Sequence, residues 1–421
     1  MGDKIQEHLE NGNASNTSAI FPEEIPINLV QKLVILGCIF CAKTLYYEAY
    51  GYGLLLIAFT FFMIMAIGMF FQSVMISRKK LLFSFLFLLL AAVNPSANMQ
   101  SVVMLMVLLL SGLLATSIVN FDQFASYYVK VIRVLILFSL LSFVVIRFNI
   151  PSPLPAAKSI ADFYYRNFVV FFVPERAIET QGYRNSGVWW EPGAFQLFIN
   201  LAFLFEIVIQ KVRWKSYIIY ALGIVSTIST TGFVIFFLLS FLHFKKTVKK
   251  LSTSQIVLLV FITAIAMGIF LLLAKDMIFG KLNQDDTNFA STLSRAYDNL
   301  VDWTMLKEHP WLGVGFGNDN ARVDYALRLI GPLEYNSGAK PTGSDGLLLL
   351  IASLGIGAVF FLLPTLLFPK YLRRFTALER VLFAIVFIFM FNTENLTYTI
   401  IFYVLIFFGL TTNSYKKAFN Q

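Results

Sequence analysis

Apolar and polar residues come in blocks along this chain. Apolar runs with few charges fall at about 27–47, 51–76, 81–93, 99–119, 127–147, 192–210, 216–228, 230–243, 255–275, 344–368, 380–392 and 396–412, separated by polar stretches. A helix needs about 20 apolar residues to cross the hydrocarbon of a bilayer, so the pattern predicts an all-α polytopic integral membrane protein with about 12 transmembrane helices. The stretch 216–243 is long enough for one helix. As one helix it would put Lys211, Arg213 and Lys215 on one side of the membrane and Lys245, Lys246, Lys249 and Lys250 on the other, against the rule that basic loops stay inside. The polar run Ser226 to Gly232 at its midpoint predicts two short helices joined by a buried hairpin, which is tolerated at membrane depth only where protein or a wet cavity surrounds it.

With that division every basic cluster, from Arg78-Lys79-Lys80 through Lys370–Arg374 to Lys416-Lys417, falls on the cytoplasmic side. The expected organisation is a disordered cytoplasmic tail over 1–26, a single transmembrane domain over 27–412, and a cytoplasmic tail over 413–421. The two longest loops, about 148–191 and 276–343, both face outward.

Composition agrees. Of 421 residues 58% are hydrophobic and mean hydropathy is +0.72, where soluble chains hold about 45–50% apolar residues. The net charge of +9 would point a soluble protein toward nucleic acid. Here the basic residues cluster between apolar runs as an orientation signal, so no nucleic-acid partner is expected. Met1–Glu24 is polar and partly acidic and reads as no signal peptide. Cys38 and Cys41 make a C-x-x-C pattern, but inside an apolar run, where packing is the expected role. His8, His243 and His309 are far apart and predict no metal site.

The candidate chemistry lies in the outer loops. The run Tyr183-Arg184-Asn185-Ser186-Gly187-Val188-Trp189-Trp190-Glu191-Pro192-Gly193 opens an apolar segment and combines a guanidinium, two indoles and a carboxylate with turn-forming glycines. Aromatic faces beside carboxylates suit sugar rings, although aromatics at a membrane boundary are ordinarily anchors. The same loop holds Arg166 and Arg176, which could simply meet lipid phosphates. In the second loop 292–308 reads as an amphipathic helix. Leu293, Ala296, Tyr297, Leu300, Trp303 and Leu306 form its apolar face, and Arg295, Asp298, Asn299 and Asp302 its polar one, with an Arg295–Asp298 pair as the ordinary reading. The run from His309 through Gly313 and Gly315 to Gly317 follows, read as a tight loop whose exposed N–H groups could approach a phosphate. Arginines, carboxylates, aromatics and glycines on one side of a membrane fit pyrophosphate binding and sugar transfer, since the guanidinium fork matches phosphate oxygens.

Three patterns resemble the O-antigen polymerase (Wzy) and O-antigen ligase superfamily. They are Arg184-x-x-Gly187 with Glu191-Pro192-Gly193, Arg295 with Trp303 and His309-Pro310-Trp311-Leu312-Gly313-Val314-Gly315-x-Gly317, and Ser344-Asp345-Gly346-Leu347 with Gly355 and Gly357. The resemblance implies a GT-C-type glycosyltransferase with two large periplasmic loops in a bacterial inner membrane. It would use no metal or cofactor and would act on undecaprenyl-diphosphate-linked oligosaccharide, with a chain-length regulator and a flippase of the same pathway as partners. By the resemblance Arg184 and Arg295 hold the diphosphate. Ligases carry His-Asn where this chain has Ser344-Asp345, which favours a polymerase over a ligase. It leaves Glu191 and Asp345 as candidate bases, with Glu394 in the last outer turn behind them. Their ordinary readings are a helix-start carboxylate for Glu191 and a helix cap for Asp345. A flippase is the reading from another class. Few mid-helix charges, mainly Lys43 and Glu206, and no internal repeat speak against it.

Overall fold

A computed structural model describes residues 26–49, 52–70, 76–158, 164–175, 183–209, 212–247, 254, 268, 287–331 and 346–411. Both terminal tails, nearly all of 255–275, and Arg176, Ser344 and Asp345 lie outside the described residues. The chain is mostly helical, at 73%. In chain order the helices are α1 (Leu29–Phe40), α2 (Leu45–Ala49), α3 (Tyr52–Phe70), α4 (Arg78–Ala92), α5 (Met99–Ile118), α6 (Phe121–Ser139) and α7 (Leu141–Arg147). After a small sheet come α8 (Pro192–Val208), α9 (Trp214–Thr227), α10 (Thr230–Thr247), α11 (Thr287–Glu308), α12 (Asp319–Ile330), α13 (Gly346–Leu354), α14 (Ile356–Leu367), α15 (Ala377–Asn392) and α16 (Ile400–Leu410). Among the described residues two stretches, Met99–Ile118 and Phe121–Arg147, are long and apolar enough by themselves to cross a membrane, and six further apolar helices are shorter.

Local sequence explains most helix starts. Asn28 with Gln31, Asn120 with Gln123 and Thr376 with Glu379 form reciprocal capping boxes, Asn98 caps α5, and Pro192 opens α8 where no N–H is needed. Three predicted segments are broken: 27–47 at residues 41–44, 127–147 at Leu140, and 344–368 at Gly355. At Gly355 (φ +73°) a Cβ would overlap the Trp311 carbonyl. The break lets Ile356 N–H donate to Pro310 O at 2.7 Å, so the turn after α11 seats in the notch.

The long loop 148–191 is not wholly irregular. It holds an antiparallel sheet of β1 (Leu154–Lys158), β2 (Tyr164–Asn167) and β3 (Phe172–Pro174), in that order, with a register shift between Leu154 and Ala157.

One apolar core runs through the bundle. In it α5 packs on α3, α4 and α16, while α8 packs on α6, α9 and α10. Its two ends differ. At one, Gln31 reaches Ile118 O (3.1 Å), Phe121 stacks on Tyr371 (4.7 Å), and Lys79 and Arg373 stand close enough to Lys370 to act on its charge. At the other gather residues 94–98, 183–193, 226–232 and 393–397.

The face assignment of α11 needs correction. Its inward stripe is Ser294, Asp298, Val301, Asp302 and Met305, whereas Leu300 and Trp303 are exposed. The expected Arg295–Asp298 pair gives way to Arg322 of α12, which reaches Asp298 Oδ1 (2.5 Å) and Asp302 Oδ1 (3.0 Å). Two carboxylates can face inward because a guanidinium from a different helix meets them, and the helix's own periodicity does not record that partner.

Candidate functional site

The run 183–193 is held from three sides. Leu45 N–H donates to Val188 O (2.9 Å), Trp189 Nε1 donates to Ala42 O (3.1 Å), and Thr44 bridges Trp189 across the gap between α1 and α2. On a second side Asn185 N–H donates to Ser226 O (3.0 Å), and its amide donates to Ser139 Oγ (2.8 Å) and Ser226 Oγ (3.1 Å). On the third, Phe172 N–H of β3 donates to Gly187 O (2.8 Å). Trp189 is fully buried and stacks on Phe198 (4.3 Å) and Phe195 (5.3 Å). Gly187 sits at φ +60° with the Phe195 ring 3.1 Å from where a Cβ would be, so a side chain there meets both backbone strain and the ring.

This packing brings Arg184 and Glu191 near enough for their charges to act on each other. Arg184 Nε donates to Thr227 O (3.1 Å), a carbonyl at the end of α9 whose cap residue, Ile228, turns left-handed (φ 46°). Glu191 begins α8, yet its side chain makes no capping bond. It hydrogen-bonds Glu394 instead. Glu394 is 5% exposed, and its Oε1 lies 3.3 Å from Nη2 of Arg295, itself 40% exposed. Gly193 gives Glu394 its seat, because a Cβ there would overlap the carboxyl. Lys43 donates from Nζ to Asn395 O at 2.6 Å, on the residue next to Glu394. Contrary to the mid-helix expectation, Lys43 lies in the turn between α1 and α2 with φ 54°.

Electrostatics ties the cluster together. Burial pushes the Glu191 carboxyl well above the usual carboxylate range, and Glu394, by its charge and its hydrogen bond, pushes further. The charges of Arg295 and Lys43 oppose the shift. Burial lowers the Arg184 pKa, and Arg295 adds to the lowering while Glu191 and Glu394 oppose it. Arg295 thus pairs with Glu394, and Arg184, distant from it in sequence, lies near enough to both carboxyls to feel their charge. Such a group can hold an anion between its cations and move a proton at its carboxyls.

The other predicted residues divide. Trp190 borders the cluster: Tyr165 Oη donates to its carbonyl (2.9 Å), and its Nε1 is enclosed without a protein acceptor. Tyr183 packs edge-on to Phe143 (5.1 Å) in a small apolar cluster with Val145, Phe171 and Val173. Arg166 sits on β2 and donates to Ile150 O (3.1 Å). His309 is exposed and faces Tyr325 at 6.3 Å.

The glycine run corrects an expectation. Gly313 N–H donates to His309 O, Val314 N–H to Ala352 O and Gly315 N–H to Ser353 O, at 3.1–3.2 Å. Those N–H groups are used within the chain, and the positive φ of Gly313 and Gly315 lets the run lie flat on the backbone of 352–353 and 96–97. Gly346, the first described residue after Ser344 and Asp345, abuts Glu394 O and the Asn395 backbone.

Sequence reasoning ranked Glu394 behind Glu191 and gave Lys43 no role at the site. Glu394's signal was its position in the turn between the last two apolar runs. Lys43 gave none, because a lysine in an apolar run reads alike in a helix and in a break. Among the described residues no three His, Cys, Asp or Glu side chains gather as a metal site would need. Compared with known protein families, with curated proteins and with solved structures, the chain finds no match in any of the three.

Proposed function

We propose that the protein is a polytopic membrane glycosyltransferase of GT-C type that polymerises undecaprenyl-diphosphate-linked repeat units into a surface polysaccharide at the outer face of the bacterial inner membrane. The observation that carries the reading is the cluster of Arg184, Arg295, Glu191 and Glu394 at the mouth of α8. In this reading the guanidiniums hold the lipid diphosphate and stabilise the charge it gains on leaving. A hydroxyl on the incoming unit attacks the anomeric carbon, and Glu191, a carboxyl with a raised pKa, is the base that takes the hydroxyl proton.

Membrane embedding draws on two further features. Leu54, Ile57, Phe61, Leu82, Phe85 and Phe360 stand exposed on α3, α4 and α14, and α3 is apolar all round without being buried all round, which suits lipid. The basic residues Lys79, Lys370 and Arg373 collect at the end of the bundle away from the cluster, as they would if that end were cytoplasmic.

The test is Arg295→Ala in the producing cells, with surface polysaccharide run on a gel and membrane abundance of the chain checked by immunoblot. Loss of the long-chain ladder at normal abundance is expected, and an unchanged ladder refutes the assignment. Arg295→Lys is expected to be damaging as well, since a point charge lacks the fork. A lipid-unit flippase is the second reading. The paired Arg133 and Glu206 inside the bundle are the feature that favours it. A deletion strain with unpolymerised units confined to the inner leaflet would select it.

A further inference from the structure

Arg295 stands between two partners that compete for its charge. In the structure its Nη2 holds Glu394 Oε1 at 3.3 Å. In the proposed reaction the same guanidinium holds a diphosphate. Glu394 also touches Glu191. Two carboxyls in hydrogen-bond contact need a proton between them, since like charges at that range cannot both stand. Arg295 faces Glu394 at 3.3 Å, and burial favours the neutral form of Glu191, so the proton is placed on Glu191. The other charged groups acting on Glu191 are Lys43, whose Nζ lies on Asn395 O, and Arg184, whose Nε lies on Thr227 O. Both have backbone acceptors of their own. Arg295, 40% exposed, hangs at the open side of the cluster, while Glu394 is 5% exposed beneath it.

We propose that Glu191 and Glu394 form a proton relay thrown by arrival of the donor. The diphosphate draws Arg295 off Glu394, Glu394 takes the proton from Glu191, and Glu191 becomes the base. This rests on the lipid-diphosphate reading above. In the first step one proton passes from the Glu191 carboxyl to the Glu394 carboxylate with no change in net charge. In the second, the acceptor oxygen bonds to the anomeric carbon while the bond from that carbon to the diphosphate oxygen breaks. Its electron pair leaves on the diphosphate, and the hydroxyl proton goes to Glu191. When the lipid diphosphate departs, Arg295 returns to Glu394, which gives its proton to water. One proton is released per linkage, as the overall reaction requires. Until donor is bound neither carboxyl of this pair is a free base, so the pair does not activate water.

The full chain in lipid nanodiscs, with farnesyl diphosphate as probe, tests this by two measurements. Difference infrared spectroscopy reads the protonated-carboxyl stretch. Without probe, Glu191→Gln is expected to remove that band. With probe bound, a shifted band is expected, one that Glu394→Gln removes. Probe affinity, read by tryptophan quenching, is expected to be about two- to fivefold tighter in Glu394→Gln, the worth of a partly exposed ion pair that no longer competes for Arg295. Probe that binds the wild type while the carboxyl band stays unchanged overturns the relay and leaves the diphosphate site standing. Equal or weaker affinity in Glu394→Gln, with the wild type binding, also overturns the relay alone. No binding to the wild type overturns the relay and the diphosphate reading together.

Discussion

Arg133 of α6 and Glu206 of α8 are each 1% exposed and form an ion pair deep in the bundle. Tyr220 of α9 completes the contact: its hydroxyl donates to Glu206 Oε2 at 2.6 Å and accepts from Arg133 Nε at 3.3 Å. One network therefore joins α6 to α8, which starts at Glu191, and to α9, which ends at the Thr227 carbonyl. Removing one partner strands a buried charge, which costs about 3–5 kcal/mol, whereas replacing both with apolar groups of similar volume is close to neutral or favourable. Arg133→Met takes the counter-charge from the Glu206 carboxylate, and Glu206→Met does the same to the guanidinium. Each is expected to lose about 3–5 kcal/mol. The double variant leaves the Tyr220 hydroxyl without its acceptor, a cost of about 1–3 kcal/mol, offset by the two desolvation penalties removed. It is expected within about 2 kcal/mol of wild type. The coupling in the cycle is then about 4 kcal/mol or more, beyond the upper end for residues in contact. The assay is denaturant unfolding of the purified chain in detergent, followed by tryptophan fluorescence, with Trp189 buried as a core reporter. Single variants that each lose less than about 1 kcal/mol, or losses that simply add, would refute the claim that the pair is a dry, mutually dependent ion pair.

Trp189→Ala is expected to lose about 3–5 kcal/mol, because it empties a fully buried indole site and cuts the bond to Ala42 O. An unfolding curve within about 1 kcal/mol of wild type contradicts the packing described. Arg322→Ala leaves Asp298 and Asp302, each 0% exposed, without that guanidinium. The expected readout is early proteolytic cutting in α11 and α12 before global unfolding. Unchanged digestion speaks against the clamp.

For Glu191 the folded-state pKa is raised above its ordinary value of 4.5, first by burial and then by Glu394. The folded chain therefore keeps a proton that the unfolded chain releases. This contribution to stability is fully present below about 4.5 and is lost as pH rises through the folded value. Glu191→Gln is expected to flatten the fall in stability with pH above that point, and an unchanged slope rules out Glu191 as its source.

Much of the framework was legible because helix formation and helix limits are local. Apolar runs marked the helices, Asn28, Asn120 and Thr376 marked three starts, and the polar run Ser226 to Gly232 marked the turn between α9 and α10. The charge pattern separated a basic end of the chain from the loops that carry Arg184, Glu191 and Arg295.

Tertiary structure decided the rest. That Arg133 belongs to Glu206, Arg322 to Asp298 and Asp302, and Arg295 to Glu394 depends on helices distant in sequence meeting side by side, and a charge in a sequence does not name its partner. The break after α1 exists to receive Trp189, and the one at Gly355 to receive the turn at Pro310 and Trp311. Each is set by a neighbour's shape, since the propensity of the broken segment alone favours one helix. The amino-acid order marked most of the helical stretches and the basic clusters between them. Packing alone chose which polar groups meet inside, because a buried charge is tolerated only where some other element brings its counter-charge.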